Sequence, residues 1–285
     1  MKSKVLAILS LALILAMVIP VAAFASNEST FNALTLSGVA KYDTKLPTGG
    51  TKKTAKQLRA LLSKIKNKMP GKGTTMYACF LDFDRSASAG AGTYSSATKM
   101  AYWWKIQKKN APFRSEYTNL MESPLRTRCQ LLTQDSKYTY HYSWLKNEKT
   151  GDLYKSRKTS SGSSGSSGSG SGSGSGYKES NFRVYKDQKV LGEKCFVFSY
   201  NWKSKYGMGT NYHWVSRKTR VEIKNVSVSS GQVRTQIAFV YKKMNKAANF
   251  YKPPTDVTFT TYESISSQSE SIAPRLYDGW LDFAS

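Results

Sequence analysis

Residues 137–145 read KYTYHYSWL. Tyr138, Tyr140, Tyr142 and Trp144 alternate with Thr139, His141 and Ser143. A period of two puts the rings on one face of a β-strand and the polar groups on the other. The pattern returns along the chain. Phe196, Phe198, Tyr200 and Trp202 alternate with Cys195, Val197, Ser199 and Asn201, and the same spacing holds for Tyr212 with Trp214 and for Tyr102, Trp104 and Ile106. Strands are expected over 76–84, 99–107, 113–122, 125–133, 137–145, 153–158, 182–190, 195–202, 211–216, 220–228 and 233–243. The connections between them, such as KKNAP and Gln134-Asp135-Ser136, carry turn chemistry. About eleven neighbouring strands with short polar links predict a mainly antiparallel meander of the α+β class.

One segment breaks the period. In residues 53–69, Leu58, Leu61, Leu62, Ile65 and Met69 fall at helical spacing with Lys and Arg between them, and Pro70-Gly71 ends the run. A basic amphipathic helix packed on the sheet is expected there; a membrane-surface helix has the same pattern.

With 285 residues and 40% hydrophobic content, the chain has enough material for a sizeable core. Lys+Arg number 43 against 18 Asp+Glu, a formal charge of +25. Such a surface is drawn to anionic lipid or polymers, with an attraction that weakens in salt. Two His and no CxxC or HExxH leave no metal or cofactor motif. Cys79, Cys129 and Cys195 are an odd set, so one pair is free to form a disulfide or all three to sit in the core.

Residues 1–25 have the order of a secretory signal: Lys2 and Lys4, an apolar run, then Ala23-Phe24-Ala25. The run is about long enough to span a bilayer uncleaved, but Pro20 and the small-residue ending favour cleavage after Ala25 and export to the periplasm, envelope or medium. Loss of Lys2 and Lys4 takes the charge from +25 to +23. Residues 26–52 are rich in Ser, Thr and Gly and read as a flexible leader. Residues 159–176, TSSGSSGSSGSGSGSGSG, cannot bury a side chain and read as a disordered coil of about 20–25 Å root-mean-square span inside one domain of residues 53–262. Residues 263–285 form a tail of unassigned role.

Four segments in order resemble the LolA-like family of periplasmic lipoprotein carriers and outer-membrane lipoprotein-sorting proteins. Trp104-Lys105 followed by Lys109-Asn110-x-Pro112-Phe113-Arg114-x-Glu116 resembles its W-x-K…P-N-x-F-R hairpin. Gln134-Asp135-Ser136-Lys137 resembles its D-G-K-T turn, Leu191-Gly192-Glu193-Lys194-Cys195-Phe196-Val197 its G-x-x-C-Y-V strand start, and Phe250 to Val257 its closing F-x-x-P-x-x-V. The resemblance covers roughly residues 55–260. It implies an incomplete, half-barrel sheet with helices on its concave side, and a non-catalytic protein that holds lipid or lipoprotein acyl chains.

The aromatic alternation has two readings: ordinary sheet core, or the lining of an apolar cavity left uncovered by one helix. The second assigns Trp104, Tyr140, Tyr142, Phe198, Tyr200, Trp214 and Phe239 to a ligand surface. Lys105, Lys108, Lys109 and Arg114 would then hold an anionic headgroup at the rim. The partner expected is a lipid or an acylated protein, bound by a monomer without specific nucleic-acid binding. The alternative is an envelope protein that binds anionic polymers or membrane surfaces by charge. Other chemistry has little support. Asp82 and Asp84 share a strand face but fall short of a Ca²⁺ ligand set, and His141 and His213 have no nucleophile beside them in sequence. Asn27-Glu28-Ser29 and Asn225-Val226-Ser227 are glycosylation sequons. No catalytic residue, metal or cofactor is assigned.

Overall fold

A computed structural model describes residues 27–66, 71, 73–90, 92–105, 111–158, 178–244 and 248–264. The signal-like segment, the Ser/Gly tract, Lys108, Lys109 and the tail beyond 264 lie outside them.

The described chain starts with helix α1 (27–32), helix α2 (Leu36–Val39) and a 3-10 turn at Ala40–Tyr42. Strand β1 (Thr51–Lys52) and helix α3 (Ala55–Ser63) follow. A first meander runs through β2 (Thr75–Ser86), β3 (Ser96–Lys105), β4 (Phe113–Asn119), β5 (Thr127–Gln134), β6 (Tyr138–Leu145) and β7 (Thr150–Arg157). A second runs through β8 (Lys178–Val190), β9 (Glu193–Ser204), β10 (Gly207–Ser216), β11 (Glu222–Ser229) and β12 (Gln232–Lys243), and β13 (Thr258–Ser264) closes the described chain. All join one sheet of order β1-β8-β9-β10-β11-β12-β2-β3-β4-β5-β6-β7-β13, mainly antiparallel and not closed into a barrel.

Among the described residues the count is thirteen strands, against the expected eleven or so. The two additional strands carry no alternation to read: β1 is two residues long, and β13 is the polar run TFTTYES, paired in parallel to β7. The two meanders are joined by the β12–β2 ladder. Strands β7 and β8 therefore lie far apart in the sheet although they are consecutive in the chain.

Ladder register divides the side chains between two faces. One carries Tyr77, Cys79, Leu81, Phe83, Trp103, Leu131, Trp144, Trp214 and Ile237, and the N-terminal segment packs on it. Phe31, Leu34 and Val39 are at most 6% exposed there, and Phe31 and Tyr42 meet the Phe239 ring at 5.7 and 4.9 Å. This corrects the flexible-leader expectation. Average composition hid the spacing of Phe31, Leu34, Val39 and Tyr42, and distant cations complete the anchoring. Lys99 Nζ donates to the carbonyls of Phe31, Asn32 and Leu34 at the end of α1. The buried Lys224 Nζ donates to Tyr42 O and Thr44 Oγ1 at 3.1 and 2.7 Å, Arg85 pairs with Asp43 at 2.7 Å, and Lys242 pairs with Glu28.

The opposite face receives α3. Thr54 and Gln57 close a capping box at its start: Thr54 Oγ1 accepts from Gln57 N, and Gln57 Oε1 accepts from Thr54 N. Leu58, Leu62 and Ile65 are buried against Phe182, Phe196, Phe198, Tyr200 and Val215. The helix covers β8 to β10. Further along this face, Tyr117, Tyr154 and Tyr262 stand exposed.

Candidate functional site

A 440 Å³ cavity opens where two hairpin turns meet the end of β12. Its walls are Val190 and Leu191 from the β8–β9 turn, Val221 and Ile223 at the start of β11, and Phe239 and Tyr241 from β12. A β-bulge between Ala238 and Val240 turns this end of β12 and lets side chains on both sides of it face the void. Burial pushes the Tyr241 phenol well above its ordinary pKa, so it is a neutral wall.

The two-residue β8–β9 turn has Leu191 at φ 50° and Gly192 at φ 81°, the pattern of a type I′ hairpin. Leucine in the left-handed region costs about 1–2 kcal/mol. Its side chain packs against the core and lines the cavity, which is what holds it there.

The mouth is basic. Lys194, Arg217 and Lys218 border it with Glu193. Arg217 contacts both oxygens of Asp187, the closest approach 2.7 Å, and lies 4.6 Å from the Phe196 ring centre. Burial works against the charge of Asp187, but Arg217 and Lys194 outweigh it and hold the carboxyl below its usual range. Ser216 Oγ accepts the backbone N–H groups of Lys218 and Thr219 and donates to Glu193, which fixes the second turn. The Lys194 side chain is 68% exposed, so its ammonium is accessible to an incoming anion. A concave apolar void with cations at one end can take an apolar tail and an anionic head.

The seven aromatic residues expected to form one surface do not share a face. Trp104, Phe198 and Tyr200 lie on the α3 face; Tyr140, Tyr142, Trp214 and Phe239 lie on the leader side. Phe198 and Tyr200 are buried beneath α3 and stacked on the His213 ring. Trp214 is 1% exposed and donates its Nε1–H to Gln188 Oε1. Tyr142 packs edge-on to Phe259. Tyr140 donates its hydroxyl to Asp135, whose carboxylate also accepts from Lys137 N and Tyr138 N. The Tyr140 bond is the largest of the effects that hold Asp135 down at about 2. Phe239 alone of the seven lines the cavity; Trp104 touches its wall through Tyr241, at 6.1 Å.

The rim shifts too. Arg114 lies over the Phe250 and Trp144 rings at 4.5 and 5.6 Å, donates to Phe250 O and pairs with Glu116. It fastens the segment 248–257 to the sheet and does not face the cavity, nor does Lys105 line it. Lys108 and Lys109 lie outside the described residues. The cavity residues that sequence reasoning missed sit in the Leu191-Gly192-Glu193-Lys194 motif and in Arg217-Lys218-Thr219. A Leu-Gly turn between two strands and a basic turn were the available signals.

The remaining polar candidates have structural partners. Asp82 is bound through both oxygens by Arg234, at 2.6 and 3.1 Å. His213 Nδ1 lies 2.6 Å from Glu222 Oε1, and Asn225 bonds to both. Asn225 thus sits inside a ladder, where a sequon is closed to a glycosylating enzyme in the folded state. Cys79, Cys129 and Cys195 are all buried free thiols. Burial is the main reason their pKa values rise to about 12, 11 and 12. No cluster of three or more His, Cys, Asp or Glu forms a metal-binding group among the described residues.

No protein-family profile matches the chain, and no curated protein matches it in sequence.

Proposed function

We propose that this protein is a non-catalytic carrier or sensor of a lipid-like anion, acting outside the cytoplasm. The observation that carries the reading is the 440 Å³ void, walled by Val190, Leu191, Val221, Ile223 and Phe239 and bordered by Lys194, Arg217 and Lys218. Small-ligand sites fall at roughly 300–1,000 Å³ with mainly apolar walls and few polar groups. Each methylene buried contributes about 0.8 kcal/mol, so an acyl chain can bind there with one ionic contact at the mouth. The signal-like residues 1–25 support export. The ordered motifs support kinship with LolA-like carriers, and an open antiparallel sheet with a helix on one face is compatible with their half-barrel.

The test is a fluorescent fatty-acid probe, together with mass spectrometry of lipid extracted from the purified protein. Val221→Trp should fill the void and abolish probe binding while circular dichroism is unchanged. Reversing charge in K194E/K218E should weaken a fatty acid about tenfold and leave the matching fatty alcohol nearly unaffected. A protein that carries no lipid and binds neither probe is not a lipid carrier.

A further inference from the structure

Seven large apolar side chains are exposed among the described residues, and four of them lie along the edge formed by the turns at one end of the strands. Tyr206 (84% exposed) and Met208 (63%) form the β9–β10 tip; Leu125 (51%) and Met121 (44%) lie in the β4–β5 turn. The ladders place both turns on the same side. Ser204 pairs with Gly207 at the tip, Gly209 with Ser229, Gln232 with Ser86, Asp84 with Ser96, Thr98 with Asn119 and Thr118 with Thr127. The cavity turns lie at the opposite ends of β9 and β10.

Cations surround these apolar groups. Lys203 and Lys205 flank the tip, with Lys205 Nζ 4.8 Å from the Tyr206 ring centre, and Arg126 and Arg128 follow Leu125; all four are exposed. Glu122, Glu148 and Glu179 offset part of the charge. Lys178 and Lys203 are directly opposed cross-strand partners. Like charges facing each other across a ladder are unfavourable, and an external anionic surface relieves that repulsion. An aromatic ring, two thioethers and a leucine amid cations match an interface that offers anionic headgroups above a hydrocarbon layer.

We infer that this edge docks on anionic lipid bilayers, with Tyr206, Met208, Met121 and Leu125 entering the headgroup region. The inference does not depend on what the cavity holds. The test is sedimentation with vesicles of phosphatidylcholine containing about one-third phosphatidylglycerol, against pure phosphatidylcholine and against soluble dextran sulfate. The chain from Ser26 onward, without the apolar signal-like segment, should bind the mixed vesicles and not the neutral ones. Y206S/M208S and M121S/L125S should each lower the partition coefficient about tenfold. K203E/K205E should lower it further, and more so at low salt. These positions are exposed, so thermal midpoints should stay near that of the parent. Because the native thiols are buried, M208C can be labelled selectively with an environment-sensitive dye, whose emission should shift to the blue on mixed vesicles. Failure to bind them overturns the inference. So does loss of binding in the lysine variant with none in the serine variants and no dye shift; equal capture by dextran sulfate in that case marks a binder of anionic polymers.

Discussion

The leader (27–50) and helix α3 pack on opposite faces of the same sheet by different means. Helix α3 folds on local information: a capping box, leucines at helical spacing and a continuous apolar strip. The leader has little regular structure. Its short helices are too brief to be stable alone, and side chains far away in sequence hold it: Lys99 at the end of α1, Lys224 under Tyr42, Arg85 on Asp43 and Lys242 on Glu28. A segment anchored by carbonyl–ammonium bonds needs the finished sheet before it can dock. A segment with its own cap needs only an apolar patch. The leader should therefore order last on folding and depend on charge as well as on packing.

The largest expected effects test whether both segments belong to the cooperative core. Phe31→Ala removes a ring packed on Phe239 and should destabilise by about 3–5 kcal/mol in urea unfolding. Leu58→Ala should cost about 2–5 kcal/mol. Should Phe31→Ala cost under 1 kcal/mol, the leader is a dispensable cover and the comparison fails.

Each of the eleven expected strand spans overlaps a strand, because alternation is a local property, but 113–122, 125–133 and 220–228 overrun the strand ends and 106–107 lie outside the described residues. Helix α3 was legible for the same reason. Face membership was not, since it depends on how strands pair. Tyr140 and Trp104 look alike in sequence, yet the ladders put them on opposite sides. The β12 bulge resets the phase again beside Phe239. The leader was missed because its partners are Lys99, Lys224, Arg85 and Lys242, which composition reads only as surface charge. The cavity was missed because it forms between turns of β8–β9 and β10–β11 that touch only in the finished sheet. The Leu191–Lys194 turn at its mouth shows in sequence only as a Leu-Gly pair between two strands.

Lys224 gives the charge dependence a sign. Burial, the main cause, lowers its pKa to about 8 in the folded chain, against about 10.4 unfolded. A lowered lysine pKa means that the folded state binds the proton more weakly. The Lys224 contribution to stability is therefore least favourable below pH 8 and recovers as pH rises toward the unfolded value. Through this group alone, stability should rise between pH 8 and 9.5, by on the order of 1–2 kcal/mol. The three buried thiols, whose pKa values are raised, oppose this rise as unfolded cysteines ionise above about pH 8.5, and buried Tyr77 and Tyr241 oppose it nearer pH 10. Urea melts of the parent and of Lys224→Met share the thiol and tyrosine effects, so the parent should gain on the variant as pH rises across this window. A parent-minus-variant difference that is flat from pH 8 to 9.5 would mean that Lys224 reaches water.

The smallest effect belongs to the other side of the comparison. Thr54→Ala removes the hydroxyl that accepts from Gln57 N and leaves the Gln57 side chain as the remaining half of the box. Such caps contribute about 1 kcal/mol. Because α3 carries its own start signal, the loss should be the same from pH 6 to 9 and in high salt, where leader contacts weaken. A Thr54→Ala/Lys224→Met double variant should be additive within about 0.5 kcal/mol, since the two sites lie on opposite faces and share no partner. A larger coupling would mean that the two segments sense each other through the sheet, so that docking of the leader tightens the surface on which α3 rests.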